Sequence, residues 1–459
     1  MNQAPEENMV RPSWRMSWDA ILFILLWSAQ FWSSELSGAL IPTDESTVLI
    51  PYLTRIWYYA PAPAFLLLAL FAYVLADLLL EGRRQFAVKL IALVFVIVAF
   101  VVLPTMAAIV FRHNTAPYLY IHDGAIQTEE AIKFLLANEN PYAESYAATP
   151  MAQWRFNESG VGRNLAIDHL PYLPFTFLSA IPLYLVAQAT LGWYDQRFVS
   201  LILLSLAVLM LLRVGRTPGE KLASITVLSL NPLSIPFFIE GRNDIMVSFW
   251  LIGGILLLQR RRVSWAGIFI ACAAVSKQTA WFIIPFFVFY ALQIERNSNP
   301  LKQLVKRARV LVPAALVFVG ILLPFLIWDA GAFLDDVLSV PFRLPAAGAI
   351  YPIRSLGFGG LALGLGWIKQ STDPFPFSWL QMLFGGLGLI FLLYSQWRNN
   401  TLTQVLMNYA VLLFICLFFA RSFVDNYLGF ALTWLVLPAL SGDAVNRTEE
   451  RLRVESGFR

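Results

Sequence analysis

Long apolar stretches separated by short polar ones set the pattern of this chain. Leu90–Phe111, Leu222–Ile239, Val310–Trp328, Pro374–Trp397 and Thr401–Ala420 each run without a charged residue. Each is long enough to cross about 30 Å of hydrocarbon as a helix. Taking the apolar runs together, the pattern predicts spans at roughly 19–40, 59–80, 88–111, 198–212, 222–239, 245–259, 263–276, 278–294, 310–328, 377–397, 401–420 and 424–441. The expected fold class is therefore an all-α polytopic membrane protein, about 12 transmembrane helices in a single transmembrane domain. The first span has no obvious cleavage site before it and reads as uncleaved.

Leu170–Gly192 is apolar enough to span but contains Pro171, Pro174 and Pro182 and follows a long polar region. The basic residues decide its status. If it only dips into or lies on the membrane, the loops 81–89, 213–221, 260–262, 295–309 and 398–400 all fall on one side. From residue 198 onward, that side then holds 16 Lys and Arg, the 442–459 tail included, and the other side six. A full crossing would reverse the ratio. The positive-inside rule favours a re-entrant or interfacial helix, with both ends of the chain and the 442–459 tail cytoplasmic.

Composition agrees: 58% of residues are hydrophobic and only 14% charged, too few charges for a soluble enzyme of 459 residues. The net charge of +4 is a topology signal and not a nucleic-acid footprint. Cys272 and Cys416 both lie in apolar stretches, so no disulfide framework is expected. Trp14, Trp18, Trp57, Tyr58, Tyr59 and Trp328 fall at span ends, as in an interfacial belt.

Two outer regions are too long to be connectors, residues 112–197 and 329–376. In the first, AIQTEEAIKFLLANENPY has helical spacing: Ile126, Ala131, Ile132, Leu135 and Leu136 on one face, Glu129, Glu130 and Lys133 on the other. That predicts an amphipathic helix on the outer leaflet, ended by Asn140–Pro141. Asp123 stands at its start, where an ordinary N-cap is the plain alternative to a catalytic role. His113, His122 and His169 all lie in this region, but no HxxxH or HxxE spacing supports a metal site. No metal and no cofactor are expected.

The order HDGAIQTEEAIKFLLANENPYAESY, DHLPYLPFTFLSAIPLYLV and NPLSIPFFIEGRNDIMVSFWLIGGILLLQRRRVSWAGIFIACAAVSKQTAWFIIPFFV resembles the GT-C class of integral-membrane glycosyltransferases. Within it the likeness is to the bacterial polyprenol-phosphate-mannose-dependent mannosyltransferase type, over roughly residues 112–295. The resemblance implies that Asp123 corresponds to the catalytic base of the first large outer loop. It also implies that Asn140, Pro141 and Tyr142 match the turn after the loop helix, and that Lys277 matches a basic residue in a short span. This chain departs from the simplest pattern in having three spans before that loop, which leaves Asp44 and Glu45 as a rival site.

The chemistry such a reaction needs is modest. A sugar on a lipid phosphate already carries a good leaving group, so one carboxylate suffices to take the acceptor hydroxyl's proton. Cations must meet the phosphate. The candidates are Arg242, Lys277, Arg343, Arg354 and Arg421, with Glu130 and Tyr142 as further substrate contacts. Asp244 follows Arg242 by two residues and Asp425 follows Arg421 by four, so structural ion pairs compete for both arginines. Trp154 and Tyr172 have rings that could stack on a sugar. The expected function is transfer of mannose or another hexose or pentose from a polyprenyl-phosphate donor to a glycan or lipid acceptor. The site is expected on the outer face of the plasma membrane, with membrane lipid as surroundings. The competing class is a transporter or flippase of lipid-linked sugars, which calls for ionisable residues near the bilayer midplane. Only Glu35, Asp77 and Lys277 are evident inside spans.

Overall fold

The structure is a computed structural model and describes residues 16–40, 62–114, 121–154, 164–292, 307–340 and 352–441. Asp44, Glu45, Arg343, most of the 295–309 loop and the 442–459 tail lie outside the described residues, as does the Glu35 side chain. The described chain is almost entirely helical. In order come α1 (Trp18–Leu40), α2 (Ala62–Leu79), α3 (Gly82–Asn114), α4 (Asp123–Leu136), α5 (Ile181–Leu191), α6 (Arg197–Val214), α7 (Pro218–Ser229), α8 (Asp244–Gln259) and α9 (Val263–Ala274). Then follow α10 (Ile284–Ala291), α11 (Val312–Leu334), α12 (Phe377–Arg398), α13 (Leu402–Phe418) and α14 (Asp425–Ser441). In an apolar medium a helix satisfies its own backbone groups, which is why apolar sequence takes this form.

Among the described residues four helices are long and apolar enough to cross a membrane: Gly82–Asn114, Arg197–Val214, Val312–Ser339 and Phe377–Arg398. Shorter apolar helices cover seven further segments, so a helical membrane protein is plain while the count of twelve is not reproduced. The predicted span 222–239 is two pieces. α7 begins with a capping box, Thr217 Oγ1 accepting from Glu220 N–H and the Glu220 carboxylate accepting from Thr217 N–H. It ends before Asn231–Pro232, where Asn231 Oδ1 accepts from Leu233 N–H, and a short helix Ile235–Glu240 follows. The segment 170–192 forms only a four-residue helix, Phe175–Leu178, and the 11-residue α5, which is about half the length a crossing requires.

Outward faces of α2, α11 and α12 carry exposed Phe71, Leu75, Ile327, Leu387, Ile390 and Phe391, as expected of surface in contact with lipid. Within, α8 packs on α6 and α9, α13 on α12 and α14, and α1 on α7. A second core gathers Ile121, Ile126, Tyr142, Tyr146, Phe177, Phe325 and Phe333, so the described part of residues 112–197 is a packed layer on the bundle. This overturns the surface-lying reading of α4. Gly124 to Ile132 are all buried, including Glu129 and Glu130 on the face expected to meet water. Glu129 is buried because Arg112 at the end of α3 forks onto it, and Arg112 also reaches Asp195, which Arg197 pairs at 2.8 Å. The two arginines and two carboxylates neutralise one another where α3, α4 and α6 meet.

Lys89, expected among the loop charges of 81–89, is instead 3% exposed within α3. Its ammonium pairs with Asp77 of α2 and, at 2.7 Å, with Asp19 of α1. Ser17 and the Tyr73 hydroxyl complete the hydrogen bonding. Halfway along α3 lies one π turn, Val98–Val102.

Candidate active site

α4 starts at Asp123, with His122 in extended conformation as its N-cap, so Asp123 is the first helical residue and not the cap. Its carboxylate faces the positive end of the helix dipole, and Oδ1 accepts from Gly124 N–H at 2.7 Å. Asn164 Nδ2 donates to Oδ2 at 3.0 Å. His122 Nδ1 lies 2.9 Å from Asp123 Oδ1 and 3.1 Å from Gly124 N. One ring nitrogen cannot donate and accept at once. Since Gly124 N–H is already closer to Asp123 Oδ1, the tautomer with its proton on Nδ1 satisfies all three groups. Burial alone would raise the Asp123 carboxyl, but the His122 ring, Asn164 and the Arg242 charge hold it well below the usual carboxylate range. Gly124 cannot be replaced cheaply: a Cβ there would stand 2.0 Å from the Tyr172 hydroxyl.

The charge of Arg242 acts on this carboxylate, and the residue before it sets the path of the chain there. Gly241 ends the short helix Ile235–Glu240 at φ +97°, a left-handed conformation glycine adopts without strain. A Cβ there would also crowd Ala125 and Arg197 at 3.1 Å. His122 N–H donates to Glu240 O at 2.7 Å, joining the two chain segments. The Arg242 guanidinium stacks on Phe237 and donates to Asn426 Oδ1 at 2.9 Å. Asn426 Nδ2 donates in turn to Asp244 Oδ2 at 3.0 Å, and Lys277 Nζ donates to Asp244 Oδ1 and to Asn243 Oδ1. Tyr427 lies over the Lys277 ammonium. Arg242 therefore heads a polar chain through Asn426 and Asp244 to Lys277, at the ends of α8 and α14. Two cavities meet at its side chain. One of about 60 Å³ runs past Ser234, Phe238 and Asn426 to Val101 in the π turn; the other, about 10 Å³, is walled by Gly124, Tyr172 and Asn243.

The anticipated residues divide. Asp123, Arg242 and Lys277 come together, and Arg354 is brought near by a two-residue parallel pairing of Arg354–Ser355 with Ser422–Phe423, close enough to Asp425 for their charges to interact. The expected ion pairs are rearranged: Asp244 pairs with Lys277, and Arg242 has Glu240 at 3.8 Å. Arg421 is spent elsewhere, since its two terminal nitrogens donate to the Asp373 and Ser371 carbonyls at 3.0 and 2.8 Å and so close a turn. Glu130 pairs with Lys133 at 2.6 Å, about two turns along α4 from Asp123, and makes no contact with it among the described residues. The Tyr142 hydroxyl donates to Tyr172 O at 2.8 Å while its ring packs edge-on against Phe325 and Phe333. Tyr142 thus positions Tyr172 from inside the core. Unanticipated members are Asn164, Glu240, Asn426 and Tyr427; nothing in their local sequence separates them from ordinary polar residues. Glu240 is 4% exposed, and burial raises its carboxyl against the pull of Arg242 and His122.

A buried, ionised carboxylate beside a cation network, at the ends of apolar helices, defines a membrane protein with an acid–cation site. Residues 117–293 match the family model of the alpha-(1->6)-mannopyranosyltransferase, N-terminal domain, so the resemblance to a mannosyltransferase holds over this stretch. It contains Asp123, Glu130, Tyr142, Arg242 and Lys277, whereas Arg354 and Arg421 lie beyond it. Membrane glycosyltransferase activity is the class this match supports. No curated protein and no solved structure matches the chain.

Proposed function

We propose that the protein is a GT-C glycosyltransferase that moves a sugar, mannose in the first instance, from a polyprenyl phosphate to an acceptor hydroxyl on the outer face of the plasma membrane. Asp123 is the general base. The observation that carries this reading is a buried Asp123 carboxylate held by Gly124 N–H, Asn164 and His122 at the start of α4, within the stretch similar to mannosyltransferases.

The division of labour follows from the charges. A carboxylate held below its usual range is ionised at every working pH and always able to accept a proton. It is a weak base toward a resting alcohol, but the hydroxyl becomes acidic as its oxygen bonds to the anomeric carbon, and proton transfer is then favourable. The bond to phosphate breaks without a proton donor because the departing phosphate carries the charge. Arg242 is the cation we assign to that phosphate. Arg242 lines both cavities, whereas Lys277 donates to Asp244 and Asn243 and lines neither. A guanidinium also matches two phosphate oxygens at once. Both cavities are far below the about 300 Å³ of a typical ligand site, so substrate binding must part the Asp123 and Arg242 segments.

Asp123→Asn keeps the shape but has one acceptor oxygen for the two donors Gly124 N–H and Asn164 Nδ2, and it removes the base. The expected outcome is loss of sugar transfer from a polyprenyl-phosphate-mannose donor, with unchanged expression and membrane insertion. Full transfer by this variant overturns the assignment.

A further inference from the structure

We propose that His169, Asp335 and Asp336 bind one divalent transition-metal cation of the Zn²⁺ or Mn²⁺ class, which clamps the segment carrying Asn164 to the end of α11. His169 Nδ1 lies 2.7 Å from Asp336 Oδ1 and 3.6 Å from Asp335 Oδ2, and one donor atom from each residue falls within 4.8 Å of the others. Ligands about 2.1 Å from a common ion stand roughly 3–3.5 Å apart, and the two measured separations bracket that spacing. Asp335 and Asp336 open a π turn, Asp335–Ser339, and both carboxylates converge on the one imidazole.

Charge and exposure point the same way. The Asp335 and Asp336 carboxylates both face the one His169 ring, at 3.6 and 2.7 Å. Asp336 forms a buried wall, whereas the His169 and Asp335 side chains are 23% and 41% exposed, leaving a side on which water can complete the coordination. Imidazole nitrogen with two carboxylates suits a borderline ion better than Ca²⁺ or Mg²⁺, which take oxygen. The supporting contacts are those that fix ligands. Leu170 N–H donates to Asp336 Oδ2 at 2.7 Å, and Gln127 Nε2 donates to the Ala166 and His169 carbonyls. Gln127 Oε1 is buried with no protein donor among the described residues.

The same segment carries Asn164, whose amide holds Asp123 Oδ2. The ion is thus a positioning element for the carboxylate, joining residues 167 apart in the chain. A simple histidine–aspartate pair would use Asp336 alone and leave Asp335 a bystander; coordination needs both.

The test reads metal content, so it stands or falls separately from sugar transfer. The detergent-solubilised full chain is stripped with chelator, equilibrated with ZnCl₂ or MnCl₂, desalted and analysed for bound metal and melting temperature. The expected result is one equivalent per chain and a raised melting temperature. His169→Ala and Asp335→Asn should each weaken binding by about tenfold or more, while Asp123→Asn should not. Asp335 is exposed, so Asp335→Asn carries the test if His169→Ala fails to fold. Wild-type protein retaining no more metal than the H169A/D335N double variant overturns the proposal, as does undiminished binding by Asp335→Asn.

Discussion

The Asp123 carboxylate is held by three groups with different duties: the helix amide of Gly124 orients Oδ1, His122 shares that oxygen, and Asn164 fixes Oδ2. A hydrogen bond to an ionised group contributes about 1.5–3 kcal/mol, so Asn164→Ala should leave a folded protein with kcat reduced about tenfold. The sign of the pH effect is fixed by the direction of the shift. Because Asp123 lies below its ordinary value, its accepting form persists through the acid range, and a kcat/KM profile should show no acid limb from this group between pH 5 and 8. Removing Asn164 takes away one cause of the depression, so in the variant any limb should move upward. A wild-type limb near pH 6 that Asn164→Ala leaves in place would count against Asp123 as the base. At this scale the sequence was informative about Asp123, Arg242 and Lys277, because charges near apolar helices need a reason. It was uninformative about Arg421 and Tyr142, whose partners are backbone carbonyls of Asp373, Ser371 and Tyr172; a carbonyl leaves no trace in residue type.

At the level of elements, α4 shows how a helix pattern misleads inside a layered protein. Its charged face was read as solvated, yet Glu129 meets Arg112 from α3, a partner contributed by a different part of the chain. Periodicity reports polarity, and a buried ion pair is polar without being wet. The helix itself and its start at Asp123 were legible because they depend on neighbouring residues alone; its end was misplaced, since α4 stops at Leu136 and the chain turns at Asn138, φ +63°, ahead of Asn140–Pro141. The same limit hid the His169 cluster: local spacing gives no metal pattern when two ligands arrive on another helix. The clamp between the 164–170 segment and α11 carries its own pH signature, measurable in chelator so that no ion intervenes. The hydrogen bond to Asp336 raises the His169 pKa above its ordinary 6.5, against the smaller effect of burial. A raised folded-state value means the stabilisation is complete below about pH 6.5 and is lost as pH climbs through the folded value. The melting-temperature gap between wild type and His169→Asn should accordingly be larger at pH 5.5 than at pH 8.5. An equal gap at both would remove the charged pair from the account.

For the whole molecule, the three helices before the matched stretch are joined by the Lys89 contacts to Asp19 and Asp77, far from Asp123 in the chain. Removing one partner of a buried ion set leaves uncompensated charge and costs about 3–5 kcal/mol. Lys89→Met should therefore lower yield and melting temperature sharply while the folded fraction keeps its transfer rate; a stable, inactive variant would instead tie this cluster to the chemistry. The class of fold was evident from apolar run lengths, which depend only on bilayer thickness. The number of crossings was not, since Asn231–Pro232 divides a run that composition alone presents as continuous.

The π turn in α3 bears on how the gene tolerates change in length. Such a turn holds one residue more than an α-helix would, so Ala92 and Val96 before it and Ala108 and Ile109 after it all face the core. Deleting one codon between Val98 and Val102 should let the helix close up with both flanks still in phase. The same deletion near residue 90 or 107 would turn the remainder by about 100° and swing Arg112 off Glu129 and Asp195. A deletion scan along α3 should then show a narrow window of folded protein at the π turn. Those survivors would lack the present Val101 wall of the cavity that leads to Arg242.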